Sequence, residues 1–128
     1  MYLYYAIFEE ENGAYNVRFP DLLGAFTFGE NMHEALYMAK DLLGGYLSIL
    51  EDDNETIPTA SNPSAIELQK GELLIPIEVD VQLFREKEEM KLIKKTINIP
   101  NYLNRLGKEK GLNFSQVMTE ALHQKLEA

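Results

Sequence analysis

The sequence predicts an α+β protein in two parts, a β-β-β-α-β domain followed by a smaller β-α-α module. Apolar residues alternate with period two up to Phe28 and again from Leu73 to Val79, as in strands, whereas from Met32 to Leu50 they recur at helical spacing. Charge divides the chain as well. Residues 1–80 hold 3 Lys or Arg against 15 Asp or Glu, a net of -12; residues 81–128 hold 9 against 6, a net of +3, within a formal total of -9. Such asymmetry predicts different partners for the two parts, a basic surface for the first and phosphates for the second.

Tyr2 to Glu10 is apolar on both alternating faces, with Leu3, Tyr5 and Ile7 on one and Tyr2, Tyr4, Ala6 and Phe8 on the other. This predicts a central strand covered on both sides. Asn12-Gly13 offers the positive-φ pair of a tight hairpin, and Tyr15, Val17 and Phe19 then alternate with Ala14, Asn16 and Arg18 as a half-exposed return strand. Pro20-Asp21 ends it. Gly24 and Gly29 bracket a third short strand, Ala25 to Phe28, whose two phenylalanines share a face.

Asn31 and Glu34 make a capping box ahead of an amphipathic helix that carries Met32, Ala35, Leu36, Ala39, Leu42, Leu43, Tyr46, Leu47 and Leu50. Gly44-Gly45 interrupts that pattern at a cost of about 1 kcal/mol per glycine. Either the helix ends there or its backbone packs closely on the sheet. Glu51 to Gly71 reads as a long loop with two prolines, a candidate binding or flexible segment. Leu73, Ile75, Ile77 and Val79 then form a fourth strand, which Pro76 assigns to a sheet edge. The charged run REKEEMKL marks the junction, so the expected division is a domain over residues 1–84, a linker over 85–92 with helix as the alternative, and a module over 93–128.

In that module Ile97 and Ile99 point to one side of a strand while Lys94, Thr96 and Asn98 point to the other. Pro100 opens a helix from Asn101 to Lys110, with Leu103 and Leu106 inward and Gly111 as its stop. Asn113 caps a second helix, in which Phe114, Val117, Met118, Ala121 and Leu122 keep helical spacing. One strand cannot satisfy its own backbone hydrogen bonds, and two short helices hold too few apolar residues for an independent core. Pairing with a second copy gives a two-stranded ribbon over four helices. Its dimer core would be Ile97, Ile99, Leu103, Leu106, Val117, Ala121 and Leu122.

The stretch KKTINIPNYLNRLGKEKGLNFSQVMTEAL resembles the ribbon-helix-helix DNA-binding domain. That resemblance implies a homodimer whose ribbon enters the major groove of operator double-stranded DNA. Lys94, Thr96 and Asn98 become the base readers, with side chains suited to base edges. Backbone N–H groups at Asn113, Phe114 and Ser115 become the phosphate grip at a helix N-terminus. Two positions depart from the pattern: Lys95 stands where an apolar residue is usual and is expected to reach phosphate, and Phe114 stands where arginine often precedes the serine.

The first part also carries a resemblance. Phe19-Pro20-Asp21-Leu22, Gly24, Thr27, Gly29-Glu30 and His33-Glu34-Ala35-Leu36 look like the HicB-type antitoxins of bacterial toxin–antitoxin pairs. The family implies a reduced ribonuclease H-like domain that caps a small basic HicA-like toxin, an mRNA-cleaving enzyme, and a C-terminal domain that represses the shared promoter. A -12 domain suits the cationic face of such a toxin. The implied assembly is a homodimer through the C-terminal module, or a higher oligomer. The other reading is a one-component repressor that senses a small ligand at Gly24 to Gly29 and the long loop.

Enzymatic activity is not expected. Glu9, Glu10, Asp21, Glu34 and Asp80 could in principle hold the two divalent ions of ribonuclease H chemistry, but turns and a helix cap account for several of them. His33 and His123 share no spacing with other ligands, cysteine is absent, and neither a metal nor a cofactor is expected. The N-terminus lacks a basic region and a sustained apolar run, and no segment is apolar enough for a membrane span, so a cytoplasmic location is expected.

Overall fold

The computed structural model describes residues 1–127, and the chain divides into two units, Met1–Lys91 and Leu92–Ala128. The first unit contains β1 (Tyr2–Glu11), β2 (Ala14–Arg18), β3 (Phe26–Gly29), α1 (Met32–Asp52), β4 (Glu72–Val79) and α2 (Val81–Glu89). The strands form one antiparallel sheet in the order β3-β2-β1-β4, so β1 is interior and β4 is an edge. Asn12 and Gly13 take φ of 53° and 85°, and Glu11 pairs with Ala14 across the turn they make. This is the tight hairpin that the dipeptide demands.

The register places Phe8 beside Val17 and Tyr4 beside Ile77, so one face of the sheet gathers Tyr4, Ala6, Phe8, Val17, Ile77 and Val79. Helix α1 lies on that face through Ala35, Ala39, Leu43 and Leu47, all fully buried. Asn31 caps α1 by accepting the Glu34 N–H at 2.8 Å, and the Glu34 carboxylate accepts the Glu30 N–H at 3.2 Å. At the other end Asn54 takes φ of 54°, while the Glu55 N–H reaches the Leu50 carbonyl at 2.9 Å. With the Asp53 N–H on the Ile49 carbonyl at 3.0 Å and the Asn54 N–H on the Glu51 carbonyl at 3.2 Å, that bond satisfies carbonyls of the last turn.

Two expectations change. Helix α1 runs through Gly44-Gly45, and the close approach there is to α2 rather than to the sheet. A Cβ on Gly44 would lie 2.4 Å from Phe84 Cδ2. Residues 85–89, expected as linker, are helix for the same reason. Phe84 seats α2 on α1, Asp80 caps it through the Leu83 N–H at 3.2 Å, and Arg85 holds Asp52 at 2.9 Å, Glu51 at 3.2 Å and the Ser48 carbonyl at 2.9 Å. The carboxylates of Asp52 and Glu51 raise the Arg85 pKa. The charged run thus carries its few anchors at the positions that touch α1.

The second unit holds α3 (Asn101–Glu109) and α4 (Phe114–Glu127). Gly111 takes φ of 67°, its N–H meets the Lys108 carbonyl at 3.0 Å, and the Leu112 N–H meets the Gly107 carbonyl at 3.0 Å. That pair of bonds closes α3. The Phe114 ring then lies against Gly107, where a Cβ would stand 2.5 Å from Cε1. This contact sets how closely the two helices approach.

Candidate functional site

Residues 91–100 have no regular secondary structure in the single chain, and every one of them is exposed. The strand expected there has no second strand to pair with, and backbone that cannot pair does not register as sheet. Lys94, Lys95, Thr96 and Asn98 accordingly lie open to solvent. Ile97 and Ile99 each keep 43% of their surface exposed. Leu103, Leu106, Val117 and Leu122 are similarly uncovered, and Ala121 is exposed beside them. The apolar set assigned to a dimer core is therefore half-covered within one chain.

At the start of α4 the Asn113 side chain accepts the Gln116 N–H at 3.0 Å, and the first intrahelical bond runs from the Val117 N–H to the Asn113 carbonyl. The N–H groups of Phe114 and Ser115 precede that bond and point outward from the helix start. Phe114 uses its ring against Gly107, so its side chain serves helix packing while its backbone donor stays at the helix terminus. Sequence reasoning placed Phe114 by motif position and missed this packing; the glycine in the middle of an amphipathic helix was the available signal.

On the first unit the sheet face opposite α1 is uncovered. The expectation that β1 is covered on both sides fails there, although Ile7 is 3% exposed. Its cover is an ion pair. Arg18 on β2 reaches over β1 to Glu72 on β4 at 2.8 Å. Arg18 and then the Gln69 N–H, at 2.7 Å, hold the Glu72 carboxyl below its usual pKa. Phe26 and Phe28 stand on the same face, 74% and 48% exposed. The shared face of the two phenylalanines was legible in their spacing; which side of the sheet they take was not.

Three of the five carboxylates named as candidate metal ligands, Asp21, Glu34 and Asp80, accept hydrogen bonds from nearby backbone and hydroxyl groups. Asp21 accepts from the Ser61 N–H at 2.8 Å and from the Ser61 hydroxyl at 2.5 Å, tying the long loop to the end of the hairpin. The Tyr4 hydroxyl donates to the Pro58 carbonyl in the same loop, and burial, ahead of the nearby Tyr2 and Asp21, raises the Tyr4 pKa. Glu34 and Asp80 cap helices. Glu9 and Glu10 lie along β1 near the hairpin, His33 is exposed, and His123 sits 2.9 Å from Glu127 one turn on. A cavity of about 340 Å³ lies away from Gly24 to Gly29, between α1, α2 and the end of β4, lined in part by Tyr37, Asp41, Leu83 and Phe84.

An acidic four-stranded sheet backed by one helix, followed by a cationic segment and a helix pair, makes a two-module α+β protein. The model of the HicB_like antitoxin of bacterial toxin-antitoxin system matches residues 4–119, and the chain belongs to that family. The family is one of antitoxins, non-enzymatic regulatory proteins. UPF0150 protein Ta0767 of Thermoplasma acidophilum is 40% identical over 52 residues, 41% of this chain and 75% of that protein. A chain of the toxin-antitoxin complex from Streptococcus pneumoniae matches with a TM-score of 0.60 and 29% identity, covering 97% of this chain and 98% of that one. The antitoxin HicB of Burkholderia pseudomallei shares the fold with a TM-score of 0.58 and 18% identity, covering 98% of this chain and 99% of that one. Among the described residues no helix is long and apolar enough to cross a membrane.

Proposed function

We propose that this antitoxin neutralises a small basic mRNA-cleaving toxin through residues 1–84 and represses its own promoter through a dimeric module over residues 93–128. The observation that carries the reading is the exposed segment 91–100 beside half-covered apolar residues on α3 and α4. Such a segment and such helices are complete only when a second copy supplies the opposing strand. In the closed dimer Ile97 and Ile99 lie beneath the ribbon. Lys94, Thr96 and Asn98 face the bases, and Lys95 reaches phosphate together with the N–H groups at Asn113 to Ser115.

The toxin half rests on charge and kinship. Residues 1–80 carry a net of -12, complementary to a protein whose working face must hold RNA. The S. pneumoniae neighbour is part of a toxin-antitoxin complex. Toxin binding neutralises part of this field, which otherwise opposes approach to DNA. A gel-shift titration of the chain on its own promoter fragment tests both halves. The expected result is a shift at low salt that strengthens when the small basic protein encoded beside the gene is added at one to one. No shift, or a shift weakened by that protein, overturns the corresponding half.

A further inference from the structure

The sheet is backed by a helix on one side only, and the bare side has a definite chemical layout. Tyr5, Ile7, Phe26, Phe28, Leu74 and Pro76 share it by strand register. Carboxylates mark its ends: Glu9 and Glu11 lie at one end of β1, and Glu78 lies beside Leu3 at the other. Arg18 is the single cation among the strand residues of this face, and Glu72 holds it. An apolar centre with a polar, charged rim is how protein interfaces are built.

We infer that this bare face is the docking surface for a small cationic protein, with Phe26 and Phe28 as its apolar anchors. The inference rests on the antitoxin reading above and names the surface that reading leaves open. Charge selects the occupant. A second copy of this chain would bring the same carboxylates face to face, and nucleic acid would meet them with phosphates. A partner with lysines or arginines around an apolar contact meets them with opposite charge.

Size and rigidity agree. Four strands at about 4.8 Å spacing and roughly six residues of length give a face of about 400 Å². That whole face, its polar positions included, is about half of one partner's share in a standard interface, so the contact extends onto the acidic rim. The surface is also held in place before any partner arrives. The Arg18–Glu72 pair lies across β1, and β3 packs directly on the first turn of α1, so closely that a Cβ on Gly29 would lie 2.3 Å from the Ala35 nitrogen. Little ordering cost then remains at docking.

Calorimetry and surface-binding kinetics on the full chain test this, with a small basic HicA-like toxin, taken from an open reading frame next to the gene, as probe. Three variants are compared: Phe26→Ala/Phe28→Ala, Glu9→Gln/Glu11→Gln/Glu78→Gln, and the control Tyr37→Ala/Ile49→Ala on exposed positions of α1. The phenylalanine pair should weaken binding about 30-fold or more, mainly by faster dissociation, as loss of a hot spot does. The carboxamide variant should slow association about tenfold at low salt, with the difference fading as salt rises. The control should stay within about twofold. All three should keep the wild-type circular dichroism spectrum, since the replaced side chains are exposed.

Unchanged binding by the phenylalanine variant, alongside wild-type binding, overturns the inference and leaves the antitoxin reading intact. So does loss confined to the α1 control. Self-association that only the phenylalanine variant loses, with probe binding retained, assigns the face to a second copy and overturns the inference as well. No binding by the wild-type chain overturns the antitoxin reading and this inference together.

Discussion

Replacing Ile97 with alanine measures whether two chains close over residues 94–99. In one chain the side chain is 43% exposed, and the part already covered there is lost from monomer and dimer alike, so only the exposed part enters the association constant. Full burial of an isoleucine side chain stabilises by about 1.5–3 kcal/mol, so covering the remaining surface is worth roughly 1 kcal/mol per chain. Both chains lose it, giving about 2 kcal/mol per dimer, or about 30-fold in the dimer dissociation constant. Sedimentation equilibrium over a concentration series reads that constant directly. Lys94→Ala supplies the contrast: it should leave self-association unchanged and weaken the gel shift on the promoter. A dissociation constant for Ile97→Ala within twofold of wild type, or a wild-type chain that binds the promoter as a monomer, would refute the reasoning.

Other parts of the fold give equally specific expectations. Gly44→Ala gains about 1 kcal/mol of helix propensity but sets a methyl against the root of the Phe84 ring, where rotation cannot move the ring away. Overpacking of this kind costs about 1–3 kcal/mol, so urea unfolding should show net destabilisation in the wild-type background and stabilisation once Phe84→Ala is present; the same sign in both backgrounds refutes the contact. Gly107→Ala should push α3 away from Phe114 and weaken promoter binding without lowering the unfolding midpoint of the first unit. Arg18, and then the Gln69 N–H, hold the Glu72 carboxyl below the ordinary glutamate value of about 4.5. A carboxyl lowered in the folded state adds stability above its unfolded pKa and loses it as pH falls through the folded one. Arg18→Ala should therefore flatten the acid limb of the stability curve below about pH 4.5, with the two proteins converging at the lowest pH; parallel curves count against it.

Much of this fold was written in local chemistry. Asn12-Gly13 states its turn, Asn31 with Glu34 states a helix start, and Gly111 states a helix stop, because each depends on residues a few positions apart. What the sequence could not state depends on distant pairs. The run after Phe84 looks like a linker because it is charged, yet Phe84 and Arg85 fasten it to α1 through Gly44, Glu51 and Asp52. The bare sheet face escaped for a related reason. Apolar residues on both sides of β1 imply two covers, whereas the second is supplied by a single ion pair 54 positions apart, and the phenylalanines of β3 stay open. In the candidate DNA-reading segment, periodicity separated the isoleucines from the polar positions, while the packing of Phe114 showed only indirectly, as a glycine at position 107 inside an amphipathic helix.

If two chains close over the stretch from Lys91 to Pro100 as proposed, the arrangement carries a consequence for dosage. A reading surface assembled from two identical copies is a second-order quantity. Well below the dimer constant its amount follows the square of the free chain, and halving the supply leaves about a quarter of the readers. Under the proposed repression, any process that drains antitoxin chains would relieve the promoter faster than it removes protein, and the promoter would respond to scarcity before the stock is exhausted.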